Sequence, residues 1–205
     1  MAIKALMVDV DGVLVKGRPS DGRPWSTSLQ EDLGLSPEAL HRGFFLEHLN
    51  EIVVGRAALM DRLTPALRTI APHLSPERFV DYWFQQDARL DHELLKSLGA
   101  ARATGIAVHL ATNQEHRRAM YLMESLGLAK YVDGLHYSAE LGVKKPDCEF
   151  FQRIVARTGF AAEDLLLVDD SRENIEAAFA VGWHVFHWTS GSLPAELEAA
   201  VWAPH

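Results

Sequence analysis

Apolar residues follow two alternating patterns along this chain. Mostly apolar, β-prone runs lie within Ile3 to Val15 and at Ile106 to Thr112, Leu135 to Ser138, Leu165 to Val168 and His184 to His187. Between them apolar side chains recur at helical spacing: Leu94, Leu95, Leu98 and Ala101; Ala119, Leu122, Met123 and Leu126; Phe150, Phe151, Ile154 and Val155. The first pattern predicts buried strands and the second amphipathic helices. Gly105, Gly127 and Gly159 close the three helical stripes, Pro146 opens the third, and Asn174 to Val181 adds a further helix. Strands that alternate with helices predict an α/β fold: a parallel sheet of about five strands with helices on both faces.

The segment after the first strand breaks this alternation. Lys16 to Pro24 is dense in glycine and proline and reads as a loop. From Trp25 to about Asp87 the pattern is helical, with two starts spelled Ser36-Pro37-Glu38 and Ser75-Pro76-Glu77. Each combines a capping serine, a first-turn proline and an acid at the positive helix end. Phe44, Phe45, Leu49, Ile52 and Val53, then Leu59, Leu63 and Leu67, supply apolar stripes. The expected organisation is an α/β core from residues 1-15 and 88-205, with a small helical module at 16-87 inserted into it.

Composition narrows the class of function. The chain has 205 residues, 48% of them hydrophobic, which suits one core with an insertion. A formal net charge of −8 argues against nucleic acid and against an anionic membrane as partners. The single cysteine, Cys148, allows no internal disulfide, as expected of a reducing cytoplasm. Asp9 interrupts the one N-terminal apolar stretch, so no signal peptide is expected, and no run is long enough to span a membrane. The ten histidines form no HxH or HExxH pattern, so zinc is not expected. Trp25, Trp83 and Trp188 read as packing residues, although Trp25, Arg18 and Arg23 stand where the chain enters the helical module and could face a cleft.

The candidate chemistry lies where the strands end. Asp9 and Asp11 share one side of an extended chain. At roughly 5 Å and an effective dielectric near 20 their repulsion is about 3 kcal/mol, which calls for a positive partner. A hard dication with oxygen ligands would serve, Mg²⁺ above all; a solvated acidic strand end would give the same pair. Three more stretches share the pattern: Leu110-Ala111-Thr112-Asn113, Gly142-Val143-Lys144-Lys145-Pro146, and Leu167-Val168-Asp169-Asp170-Ser171. Ligands of parallel α/β sheets bind at the carboxyl ends of strands, where all four stretches fall.

With these four motifs in order, the chain resembles the haloacid dehalogenase-like hydrolase superfamily, and its phosphatase branch most closely. The resemblance implies a Rossmann-like core whose helical module, as a cap inserted after the first strand, closes over the site. It implies a Mg²⁺-dependent phosphatase acting through an aspartyl-phosphate on a small phosphomonoester, for instance a sugar phosphate. Asp9 would be the nucleophile and Asp11 the acid and base. Thr112, Asn113 and Lys145 would hold the phosphoryl group. Asp9, Asp170 and the backbone carbonyl of Asp11 would bind the cation, and Asp169 would orient Lys145 or a metal-bound water without touching the ion. The Gly-x-x-Lys-Pro spacing selects Lys145 over Lys144, which is assigned to the surface. Three rivals remain: a phosphomutase resembling β-phosphoglucomutase, which shares these core residues; a 2-haloacid dehalogenase, whose pattern lacks the second aspartate; and a non-catalytic phosphate-binding module. Oligomeric state is not legible.

Overall fold

The computed structural model describes residues 3–202, so residues 1–2 and 203–205 of the expected core lie outside the described residues. Its centre is a parallel sheet of β1 (Ala5–Val8), β2 (Ala107–Thr112), β3 (Gly134–Tyr137), β4 (Leu165–Asp169) and β5 (His184–His187), in the order β3-β2-β1-β4-β5. Val8 of the central strand lies opposite Leu110 on one side and Val168 on the other. All four residues of β1 are buried, as a strand with neighbours on both edges and layers on both faces requires.

Helices α1 (Leu29–Leu33), α2 (Pro37–Leu40), α3 (Leu46–Val53), α4 (Leu59–Ile70) and α5 (Pro76–Gln86) all lie between β1 and β2. A π-type segment, His41–Phe45, joins α2 to α3 without a break. The remaining helices are α6 (His92–Ala103), α7 (His116–Met120), α8 (Ser138–Leu141), α9 (Cys148–Thr158), α10 (Arg172–Ala180) and α11 (Pro194–Trp202).

Strand residues alternate between two apolar layers, because successive side chains point to opposite faces. Leu6, Val8, Val108, Leu110, Leu166 and Val168 pack with Leu94 and Leu98 of α6 and Leu197 of α11. Ala5, Met7, Ala111, Leu165 and Leu167 pack with Phe150, Phe151 and Ile154 of α9 and Ala178 of α10. A third apolar cluster runs from Leu29 to Phe84 and draws its buried members only from the helices and loops between β1 and β2.

Two crossing strands of chain connect that helical cluster to the sheet. Lys16 N–H donates to Arg89 O (2.9 Å), Arg89 N–H to Gly17 O (3.0 Å) and Asp91 N–H to Leu14 O (2.9 Å). Lys16 and Asp91 add an ion pair at 2.7 Å across the same crossing. The chain therefore leaves and re-enters the α/β layer side by side.

Local chemistry moves several expected boundaries. The helix expected at Pro146 begins at Cys148, because the Asp147 carboxylate accepts from Glu149 N–H and caps it. The helix expected at Asn174 begins at Arg172, capped by Ser171. α11 was not anticipated from the sequence: only Leu197 and Val201 are buried in it, too sparse a stripe to stand out.

Candidate active site

Four chain segments converge at the carboxyl edge of the sheet. Asp9 follows Val8 directly, and its N–H donates to Val168 O at 2.9 Å, so the residue continues the β1–β4 ladder into the site. Asp169 is the last residue of β4 and is fully buried. Between the two acids stands the Lys145 ammonium, 3.0 Å from Asp9 Oδ1 and 2.5 Å from Asp169 Oδ2. Lys145 is only 2% exposed, and the two carboxylates neutralise a charge that burial alone would make costly.

Electrostatics at this edge are strained towards neutrality. Burial pushes the Asp9 carboxyl up to about 6, against the pull of Lys145, and the charge of Asp169 adds to the rise. Burial also opposes the Lys145 ammonium, yet Asp9 and Asp169 together hold it above its usual value. Asp170 is raised too, by burial first and then by its acidic neighbour Asp169.

Both oxygens of Asp169 are already taken. Oδ2 accepts from Lys145, and Oδ1 accepts from Ser171 N–H and from Asn174 Nδ2, each at 2.9 Å. Asp170 is instead exposed and packs against Gly12, where a Cβ would come within 2.1 Å of Asp170 Oδ2. Gly12 also has φ +84°, so glycine is required twice over. Carboxylate oxygens of Asp9, Asp169 and Asp170 lie within 4.8 Å of one another. This all-oxygen, net acidic donor set fits a hard dication such as Mg²⁺, which would relieve the raised carboxyls of Asp9 and Asp170.

Thr112, 1% exposed, ends β2, beside β1 in the sheet. Asn113 braces the Lys145 backbone from both sides: its Nδ2 donates to Lys145 O (3.0 Å) and its Oδ1 accepts from Lys145 N–H (2.9 Å). Its side chain therefore fixes the lysine loop, and any contact to a ligand would come from its backbone. Asp11 lies half-exposed, held by Gln114 Nε2 at 2.6 Å from Oδ2.

Three residues of the site carried no signal in the motifs. Gln114 lies two residues past the end of β2, just beyond Asn113. Arg118, one helical turn further on, is 3% exposed in its side chain and reaches Asp11 Oδ1 at 3.8 Å. The same guanidinium donates to Phe84 O (3.2 Å) and Asp87 O (2.5 Å), and it lies over the adjoining rings of Phe84 and Tyr121. Asp87 pairs with it at 3.5 Å; burial, aided by the charge of Asp11, pushes the Asp87 carboxyl up to about 6 despite Arg118.

A cavity of about 630 Å³ opens above Asp11 between the helical module and the sheet edge. Lys144, expected at the surface, lines it and is half-buried. Trp25 and Trp83 line it as well, whereas Trp188 is buried. The Arg18 guanidinium is bound to Asp21 and Ser28, and Arg23 is exposed.

A parallel α/β sheet with two acidic pairs, a buried lysine and an inserted helical module over its carboxyl edge defines a hydrolase of the haloacid dehalogenase type. The model of the haloacid dehalogenase-like hydrolases matches residues 3–182, and the chain belongs to that family. The phosphoglycolate phosphatase of Salmonella typhi is 37% identical over 86 residues, 42% of this chain and 34% of that enzyme, so the match spans about a third of the relative. The phosphoglycolate phosphatase of Yersinia pseudotuberculosis is 28% identical over 185 residues, 88% of this chain and 78% of that one. Among solved structures, a HAD family enzyme of Bacteroides thetaiotaomicron, in complex with magnesium and inorganic phosphate, superposes with a TM-score of 0.80 at 18% identity, covering 96% of this chain and 99% of the other. At that identity the likeness is one of fold. No helix among the described residues is long and apolar enough to cross a membrane.

Proposed function

We propose that this chain is a Mg²⁺-dependent phosphatase of small phosphomonoesters, working in the cytoplasm, with residues 16–87 serving as its cap. The observation that carries the reading is the Lys145 ammonium set between Asp9 and Asp169 beneath a cavity into which Asp11 projects. A nucleophile, a buried cation and an acid or base thereby share one rim.

Asp9 and Asp170, with the backbone carbonyl of Asp11, would hold the cation, while Asp169, with both oxygens engaged, positions Lys145. The ion supplies charge neutralisation for the phosphoryl oxygens and keeps Asp9 ionised. An Asp9 carboxylate oxygen attacks phosphorus; the bond to the leaving oxygen breaks as Asp11 delivers its proton there, leaving an aspartyl-phosphate. Asp11, now a carboxylate, takes a proton from water as that water attacks phosphorus, which frees Asp9 and inorganic phosphate. Thr112 Oγ1, the Asn113 backbone N–H and Lys145 bear the phosphoryl oxygens meanwhile. A sugar as the organic part would need hydrogen-bonding side chains along the cap wall, where the cavity offers His41 and Asn50.

Release of inorganic phosphate from a panel of phosphorylated metabolites, with Mg²⁺ and with a chelator, tests the reading. Turnover is expected only with the cation, and Asp9→Asn should lower it by at least about 10³ while the far-ultraviolet spectrum is unchanged. Cation-independent turnover, near-normal activity of Asp9→Asn, or isomerisation without phosphate release would each overturn it.

A further inference from the structure

Resting on the phosphatase reading, we infer that the organic part of the substrate is largely hydrocarbon, linear, branched or aromatic, and that it is held against an apolar wall of the cap. Asp11 lines the cavity, so the leaving oxygen that it protonates must point into that space. What the leaving group meets there is set by the cap. Its side of the cavity is built from Trp25, Phe45, Leu46, Leu49, Val53 and Trp83, with His41 and Asn50 as its polar members.

Three of the aromatic rings form one surface. Trp25 and Trp83 lie 5.5 Å apart between centroids, Phe45 and Trp83 5.4 Å, and Trp25 and Phe45 6.3 Å. Beside them Leu46 and Leu49 are 66% and 38% exposed, two large apolar side chains within one helical turn of the same wall. Such surface gains free energy when it is covered, and a hydrocarbon group in the cavity would cover it.

Charge points the same way. The cap contributes no lysine or arginine to the lining, and Arg118 on the floor is already committed to the carbonyls of Phe84 and Asp87 and to two carboxylates. A polyhydroxy or carboxylated leaving group would give up water along the wall with few partners in return. His41 and Asn50 could meet a few hydroxyls, and Lys144 could seat a carboxylate close to the phosphoryl group. A two-carbon acid placed there would leave Leu46, Leu49 and the ring cluster in water, and would use little of the 630 Å³.

The test measures kcat/KM for ethyl, butyl, hexyl and octyl phosphate beside phosphoglycolate, glucose 6-phosphate and acetyl phosphate, all with Mg²⁺. Acetyl phosphate has a good leaving group and asks little of the wall, so it reports on the catalytic edge alone. We expect kcat/KM to rise about threefold per added methylene, so that octyl exceeds ethyl phosphate by at least about 10². Octyl phosphate should also surpass phosphoglycolate. The doubly substituted L46N/L49N, at positions exposed enough to keep the fold, should flatten the slope within the alkyl series. A flat or falling series, or phosphoglycolate as the better substrate, overturns the inference while hydrolysis of acetyl phosphate leaves the phosphatase reading standing. Failure to hydrolyse any of the esters and acetyl phosphate alike overturns both.

Discussion

Asp170 keeps its exposed carboxylate beside the site because the residue it leans on has no side chain. Gly12 carries φ +84°, and a methyl group there would sit 2.1 Å from Asp170 Oδ2. Gly12→Ala is therefore expected to cost about 1–2 kcal/mol in backbone strain, visible as a lower Tm, and to push Asp170 off its position. Half-activation should then need at least about tenfold more Mg²⁺, since an ångström of misplacement is costly at a reacting centre. An unchanged Mg²⁺ titration in a correctly folded Gly12→Ala protein would show that Asp170 is not a ligand. Residues of this kind were legible in the sequence because each closes an apolar strand: Asp9, Thr112 and Asp169 stand where β1, β2 and β4 stop. Arg118 was not legible, because the backbone groups it binds lie 31 and 34 residues away and belong to a different layer.

At the level of elements, β2 to β5 were readable to within a residue because buried strands are nearly continuous apolar runs, whereas β1 covers only Ala5–Val8 of the apolar run from Ile3 to Val15. Helix starts were less so: the side chains of Asp147 and Ser171 decide them, and both lie in loops that serve the site. The edge pair β2–β3 hides a feature that pattern alone does not reveal. His109 and His136 stack in parallel with Nδ1 and Nε2 3.1 Å apart, and His136 Nδ1 has no hydrogen-bond partner. Burial, helped by the neighbouring His109, pulls His136 down to about 4. The folded protein thus binds fewer protons here than the unfolded chain between pH 6.5 and about 4, and this contribution to stability is lost as pH falls through that window. The raised carboxyls of Asp9 and Asp87 act in the opposite sense, since the folded state binds more protons at them between pH 3.8 and about 6. The difference between wild type and His136→Leu isolates the histidine. Urea unfolding should show wild type losing about 3 kcal/mol relative to His136→Leu from pH 7 to pH 4. Parallel pH curves would mean that the ring is not held neutral by its surroundings.

For the molecule as a whole, the question is how a helical module closed on its own apolar cluster comes to act on chemistry at the sheet edge. The backbone crossing at Lys16 and Arg89 fixes where the two meet. Arg118 makes the second connection, and a direct one: a guanidinium rooted in α7 of the core holds the end of α5 through Phe84 O and Asp87 O, and stands 3.8 Å from the carboxylate proposed to move the proton. One buried side chain thus touches both the helical module and the proposed acid, which Gln114 also holds. Arg118→Met should destabilise the fold by about 3 kcal/mol, because Asp87 keeps its burial and loses its partner. A purely structural role would stop there. If Arg118 also positions Asp11, kcat should fall by about 10² with KM changed much less, and Arg118→Lys, which keeps the charge but loses the planar fork, should restore part of the stability and little of kcat. Steady-state kinetics with an alkyl phosphate, whose leaving oxygen needs the proton, paired with urea unfolding of the same variants, separates these cases: a destabilised Arg118→Met enzyme that turns over at the wild-type rate would leave the coupling between helical module and acid without support.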